Sequence, residues 1–406
     1  MKIVQLNTTL NSGSHGRIAS QIGDLLLDKG NESYIVYGRT ANTSRSTPIK
    51  VGSTMSILMH VFITRAFDLH GFASKAATKS LIKRLHRIDP DIIHLHNIHG
   101  YYINIKLLFD YLKAVNKPVV WTLHDCWPFT GHCSYFDSVN CMKWHNECYK
   151  CPIINSYPAS VMLDNSRSNF INKKKIFSGI ENMVIVTPSE WLASHLKDSF
   201  LSNYPVKVIN NGIDLDRFDY TDLPEIRKRY NFGKQKIILG VASIWDKRKG
   251  FEDFLRIRSM LNSEYHIILV GLSNNQFRNL PDGITGIKRT ENVEELAELY
   301  SMADIFINPT YSDNFPTTNL EALACGTPVI TYDTGGSSEA IDKFTGKKVK
   351  KGDLAGLLRA IEELTLSGRK DAGRKECRNR ALNLYNQKSR FADYVSLYEE
   401  LYNDKQ

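Results

Sequence analysis

No stretch of this 406-residue chain is long and apolar enough to cross a bilayer as a helix. The nearest candidate, Met55 to Phe72, is interrupted by His60, Arg65, Asp68 and His70. It therefore reads as a helix that is either buried or laid on a membrane surface, with a plain core helix the favoured form. The N-terminal Met-Lys-Ile-Val-Gln-Leu-Asn has no extended apolar core of a secretion signal and reads as a buried first strand. The chain is accordingly expected in the cytoplasm, at most peripheral on the inner face of the cytoplasmic membrane. Internal repeats and low-complexity segments are missing. So are RNP-like, zinc-finger and basic-helix signatures, and the modest formal charge of +9 is spread along the chain, which argues against nucleic acid as a partner. No Ser/His/Asp arrangement suggests a nucleophilic triad.

What is present is ordinary in bulk and specific in detail. A 42% apolar and 23% charged composition is that of a globular protein, and the length favours two domains. Strand-like runs at Lys2–Leu6, Ser33–Tyr37, Ile92–Leu95, Val119–Leu123, Met183–Thr187 and Val206–Ile209 alternate with helical patterns such as Gly16–Lys29 and Glu190–Leu201. A second series has strands at Lys236–Val241, His266–Val270, Ile305–Asn308 and Val329–Tyr332, with helices at Phe251–Leu261, Val293–Met302 and Leu354–Leu366. Such alternation predicts an α/β protein with two parallel sheets, that is, two Rossmann-like domains facing across a cleft, with ligands at the carboxyl ends of the strands. The expected boundaries are 1–210, with a Cys-rich insertion near 126–152, then 211–385. A final helix over 386–406, with its stripe of Phe391, Tyr394, Val395, Tyr398 and Leu401, is expected to pack back on the first domain.

The most informative segment is Asp313-Asn-Phe-Pro-Thr-Thr-Asn-Leu-Glu321. Two acids eight positions apart flank a loop that runs into a helix, expected over Thr318 to Ala324, with Pro316 at an early helical position where its missing N–H costs nothing. Unpaired amides at a helix start favour an anion, and carboxylates accept bonds from sugar hydroxyls. The pattern suits a nucleotide sugar. The turn Ala242-Ser-Ile-Trp-Asp-Lys-Arg-Lys-Gly250 places cations before another helix, where Lys249 first and Arg248 second could neutralise a diphosphate. In the first half, Gly13 and Arg17 lie on a glycine-bearing turn after the first strand. His94, His96 and His99 lie at the end of another strand, those past Leu95 on a loop, and His124 with Asp125 ends a third. A neutral imidazole at His124 can bond a sugar hydroxyl while Asp125 fixes its tautomer, and His96, His99 and Asp125 are the expected acceptor contacts. Five of seven cysteines fall between Cys126 and Cys151. Cys148-x2-Cys151 with Cys133 and Cys141 suggests a closed, structural zinc site; unliganded loop thiols and redox chemistry are the alternatives.

Taken together these segments resemble the family 4 retaining glycosyltransferases, which have the two-domain GT-B fold. The resemblance covers essentially the whole chain. It is strongest at Val-Thr-Pro-Ser-Glu-Trp-Leu and Val-Ile-Asn-Asn-Gly-Ile-Asp (within Met183–Phe218) and over Ile237–Ala340. Ser-Gly-Ser-His-Gly-Arg and Thr-Leu-His-Asp-Cys-Trp-Pro-Phe-Thr-Gly are similar to a bacterial subgroup that builds capsule, colanic-acid-type or O-antigen polysaccharide. The resemblance implies that Glu321 binds the ribose, that Asn314, Phe315, Pro316 and Thr317 face the donor sugar and diphosphate, and that His124 touches the donor sugar. Asp313 is a shortened form of the family's first acid. Lys249 keeps the family's Lys, while Ile244 stands where Arg is usual, leaving Arg248 or Lys247 to supply that charge.

The implied activity is transfer of a sugar from a UDP- or GDP-sugar to a saccharide acceptor with retention of configuration and no obligatory metal. The acceptor is expected to be lipid-linked, with Lys173-Lys174-Lys175 among the basic residues near a membrane. Two other readings compete: a sugar-nucleotide 2-epimerase of similar fold, and a catalytically degenerate scaffold for polysaccharide assembly.

Overall fold

The computed structural model describes residues 1–220, 227–228, 233–366 and 370–404. The chain divides into two compact units, Met1–Asn210 with Arg390–Gln406, and Asn211–Ser389.

In the first unit, β1 (Lys2–Asn7), β2 (Glu32–Tyr37), β3 (Thr47–Lys50), β4 (Ile92–Leu95), β5 (Val119–Thr122), β6 (Met183–Thr187) and β7 (Val206–Val208) form one sheet in the order β3-β2-β1-β4-β5-β6-β7, with every pairing parallel. Its helices are α1 (Gly13–Asp28), α2 (Thr54–Phe67), α3 (Lys75–Ile88), α4 (Ile105–Val115), α5 (Ser166–Phe177) and α6 (Glu190–Lys197). Neighbouring strand residues point to opposite faces, so one apolar run supplies two cores. Val4, Ile93, Val119 and Ile185 pack with Leu81, Leu108, Phe109 and Leu112 of α3 and α4. Ile3, Ile92, Val120 and Val184 pack with Ile18, Ile22 and Leu26 of α1.

The second unit repeats the plan. β8 (Lys236–Val241), β9 (Tyr265–Val270), β10 (Ile284–Ile287), β11 (Ile305–Asn308), β12 (Val329–Tyr332) and β13 (Gly346–Val349) lie in the order β10-β9-β8-β11-β12-β13, again all parallel. The helices are α7 (Phe251–Met260), α8 (Asn274–Arg278), α9 (Val293–Met302), α10 (Thr317–Ala324), α11 (Leu354–Leu366) and α12 (Lys370–Leu384). The last helix, α13 (Gln387–Asn403), buries Phe391, Tyr394, Val395, Leu397 and Tyr398 against the α1 side of the first sheet. Tyr398 Oη lies 2.6 Å from His94 Nδ1, and Thr122 Oγ1 donates to Tyr394 Oη at 3.3 Å.

The expected architecture of two Rossmann-like domains is what the sheets display. β3, β10 and β13, absent from the sequence pattern, are all sheet edges. Their partly exposed residues lack the apolar contrast of the fully buried β4, β5, β11 and β12. In each sheet the chain order reverses once beside the first strand, between β1 and β4 and between β8 and β11. Loops leaving such a switch point diverge and open a crevice at the carboxyl ends.

Candidate functional site

In the second unit the loops after β8 and β11 leave the switch point together and are tied to each other. Tyr311 N donates to Arg248 O at 2.7 Å, and Arg248 Nη1 donates to Ser312 O at 2.9 Å. Lys249 Nζ pairs with Asp313 Oδ2. Burial favours the neutral acid at Asp313, but the charges of Lys249 and then Arg248 outweigh it and hold the carboxyl below its ordinary value. Two glycines make this closeness possible. Gly250 has φ 76°, and a Cβ there would sit 2.2 Å from Pro309 O. Gly335 has φ 56°, and its Cβ would meet Asp313 O at 1.8 Å. Ile244 is 71% exposed at the position where a cation was expected. Of the two candidate replacements, Lys247 is exposed and Arg248 is the one bonded to the Asp313 loop.

The helix α10 begins one residue earlier than expected, with Pro316 as its N-cap, a residue whose side chain makes no cap bond to the first amides. Thr317 and Thr318 are partly exposed at this end, and Asn314 and Pro316 are buried beside it. Glu321 lies one turn in, nearly buried, where the Tyr300 hydroxyl donates to Oε2 at 2.9 Å. Asn319 anchors the helix: its Oδ1 accepts from Asn308 Nδ2 at 2.8 Å and its Nδ2 donates to Ser337 O at 2.9 Å. Phe315 departs from expectation. Its ring is buried among the core residues of this unit, 5.9 Å from the Tyr385 ring, so only its backbone is left to face a ligand. Tyr300, Asn319 and Gly335 were not among the residues expected at this site. The Gly335-Gly336 pair after β12 was a readable signal of close backbone approach.

In the first unit, Gly13 opens α1 and Arg17 follows on its exposed side. The histidines are wired differently from expectation. His96, His99 and Asp125 are buried and bonded within the fold, which leaves them poorly placed to meet an acceptor directly. His99 Nε2 lies 3.0 Å from Asp125 Oδ2, while its Nδ1 lies 3.1 Å from Tyr157 Oη. Asp125 Oδ1 accepts from Trp127 N at 2.9 Å. The tautomer of His124 is therefore set by His96, not by Asp125. Gln5 Nε2 donates to Ala19 O at 2.8 Å, which turns Gln5 Oε1 toward His96 Nε2 at 3.0 Å. His96 Nε2 must carry the proton, its Nδ1 must accept, and His124 Nε2, 3.1 Å away, must donate. The Nδ1 lone pair of His124 is left as the acceptor. Burial, then neighbouring histidines, pushes His96 and His124 well below the ordinary histidine value and lowers His15 to about 4, so the group is neutral near pH 7. His15, whose ring centroid is 5.9 Å from that of His124, bonds Asn7 Oδ1 at 3.0 Å. Gln5 and His15 were missed, although a glutamine inside an apolar strand signals a buried polar contact.

The cysteine-rich loop packs on α5. Cys133, Cys141, Cys148 and Cys151 line one cavity of about 20 Å³, enough for a water-sized occupant, together with Trp144 and Phe136. Gly131 N donates to Cys148 Sγ at 3.2 Å. All seven cysteines are free thiols, and among the described residues no three His, Cys, Asp or Glu side chains converge closely enough to hold a metal ion. Lys173 is also not the surface cation expected of it. It is buried, with Nζ donating to Trp127 O at 2.8 Å and Thr130 O at 3.1 Å, and burial lowers its pKa to about 7.

Residues 16–217 match the family model Glycosyltransferase Family 4, and residues 235–367 match Glycosyl transferases group 1. WcaC of Escherichia coli (strain K12), named as a colanic acid biosynthesis glycosyl transferase, is 26% identical over 99% of this chain and 100% of its own length. Among solved structures, sucrose-phosphate synthase from Thermosynechococcus elongatus has a TM-score of 0.75 at 17% identity, covering 99% of both chains. HepE of Anabaena, in complex with UDP-glucose, has a TM-score of 0.67 at 14% identity, covering 98% of this chain and 99% of that one. With both units matched by glycosyltransferase models and the fold shared along nearly the whole length, the chain belongs to the family 4 glycosyltransferases of GT-B fold.

Proposed function

We propose that this protein moves a hexose from a UDP- or GDP-sugar to a lipid-linked saccharide, with retention of configuration, in cell-surface polysaccharide synthesis at the inner face of the cytoplasmic membrane. The observation that carries the reading is the joined pair of loops in the second unit, where Lys249 meets Asp313 in the loop that leads to the Pro316 start of α10 and Glu321 lies one turn in. In this reading Glu321 accepts from the ribose hydroxyls. Lys249, Arg248 and the first amides of α10 bind the diphosphate and stabilise it as it leaves. The His124 Nδ1 accepts from a donor-sugar hydroxyl. An acceptor hydroxyl attacks from the face the leaving group departs, and its proton passes to a phosphate oxygen of that group. Such a site works by positioning and charge and requires no nucleophilic side chain. The similarity to WcaC supports the polysaccharide context, and the UDP-glucose complex of HepE supports the donor class.

The test is incubation with UDP- and GDP-sugars, with and without a lipid-linked saccharide, and determination of the anomeric configuration by NMR. Product that requires acceptor and keeps the donor's configuration is expected. Isomerised donor without acceptor would instead establish an epimerase, and nucleotide binding without turnover a scaffold.

We also propose that the thiols of Cys133, Cys141, Cys148 and Cys151 take up one structural zinc ion. Their shared cavity and the N–H bond to Cys148 Sγ support this. Since no three converge now, the ion would have to draw the thiols inward. Elemental analysis of protein purified without chelator should give one zinc per chain, and four reactive thiols with no zinc would refute it.

A further inference from the structure

The helix α2 is inside out. Its side toward the fold carries His60, Thr64 and Ala66, all buried. His60 Nε2 accepts from Gly71 N at 3.1 Å and its Nδ1 lies 2.8 Å from Ser74 Oγ, while Thr64 Oγ1 donates to His60 O at 2.9 Å. These bonds fix the rotation of the helix. Its outer side carries Met55, Leu58, Met59 and Phe62, between 53% and 69% exposed, at the spacing of one helical stripe. The core helix expected from the sequence is thus reversed in sense. The stripe continues at the end of α2, because Val161 N donates to Arg65 O at 2.8 Å, bringing Val161 and Met162, each 71% exposed, beside it. An apolar surface this continuous is unusual on a protein meant to face water alone.

Charge indicates what covers it. Residues 54–88 contain six Lys and Arg against a single acid, Asp68. That acid is buried, its Oδ1 2.5 Å from His132 Nδ1 and its Oδ2 accepting from Asn165 N at 3.0 Å, so it contributes no negative charge to the surface. Lys75, Lys79, Lys83, Arg84 and Arg87 are exposed along α3. The start of α3 abuts α2: Ser74 bonds His60, and Ser56 and Ala77 approach the same glycine, Gly52. An apolar stripe flanked by an acid-free cationic helix is complementary to a bilayer with anionic head groups.

We infer that α2 and α3 form a membrane-docking surface, α2 inserting its Met55–Phe62 stripe at the interface while α3 lies against anionic head groups. This rests on the proposal above only for the purpose of docking, which is to reach a lipid-linked acceptor. The experiment is flotation of the full chain with vesicles of phosphatidylcholine, with or without phosphatidylglycerol. Strong binding to the anionic vesicles is expected, with binding reduced at least about tenfold in Leu58→Ser/Phe62→Ser. Lys79→Glu/Lys83→Glu should lose most of the preference for anionic lipid, about fivefold per charge. Both variants should keep wild-type thermal midpoints and nucleotide-sugar thermal shifts, so failure of the docking surface is distinguishable from failure of the transferase reading. The inference is overturned if wild type floats with neither vesicle or if the Leu58/Phe62 variant floats like wild type. It is equally overturned if that variant merely converts a dimer to a monomer, which would make a second copy the occupant.

Discussion

Alanine at Glu321 is expected to lower kcat/KM by about two to four orders of magnitude. A carboxylate that accepts from both ribose hydroxyls makes two hydrogen bonds to a charged group, each worth about 1.5–3 kcal/mol. The same substitution strands the buried Tyr300 hydroxyl, which now donates to Glu321 Oε2 at 2.9 Å, and that costs about 1–3 kcal/mol of stability. Glutamine separates the two effects, since its carbonyl oxygen can still accept from Tyr300. Glu321→Gln should therefore unfold near the wild-type temperature while binding nucleoside diphosphate more weakly. Steady-state kinetics and thermal unfolding on both variants check this. Wild-type turnover in the alanine variant would mean that the nucleotide is held elsewhere.

Lys249→Ala should have the larger effect on nucleotide affinity, weakening nucleoside-diphosphate binding about a hundredfold or more. Two changes act in the same direction. The cation facing the phosphates is lost, and Asp313, deprived of its closest counter-charge and left with Arg248 alone, becomes a less compensated anion beside them. Removing one member of a fully buried pair costs about 3–5 kcal/mol of stability, and the loss here should be smaller, because both side chains are partly exposed and Arg248 remains beside Asp313. Since Asp313 titrates below its ordinary value, the pair contributes fully above that ordinary value and its contribution fades as pH falls through the lowered one. The double variant Lys249→Ala/Asp313→Asn should recover stability without recovering affinity, by calorimetry. Recovery of both would show that Lys249 acts only through Asp313.

The parts of the molecule legible in the sequence share a physical reason. Strands such as Ile92–Leu95 and Val329–Tyr332 are buried on both faces, so every residue had to be apolar or internally satisfied, and the run stood out. The Asp313 loop was legible because helix-start chemistry is local. What escaped depended on contacts distant in sequence. Gln5 meets His96 across 91 positions, and Lys173 reaches Trp127 O across 46. A triplet of lysines looks solvated until a pair of carbonyls is found waiting for one of them. The stripe on α2 was visible as a period, but a period does not say which side of a helix faces inward. That was decided by where His60 found its two partners.

The C-terminal helix carries a consequence for the order of folding on the ribosome. The face of the first sheet formed by Ile3, Ile92, Val120 and Val184 is covered in part by Phe391, Tyr394, Val395 and Tyr398, which are synthesised after the whole of Asn211–Ser389. At about 5–20 residues per second, the nascent first unit waits roughly ten to forty seconds with that face partly bare. The second unit can complete its own sheet in that interval, whereas the first, begun earlier, is finished last.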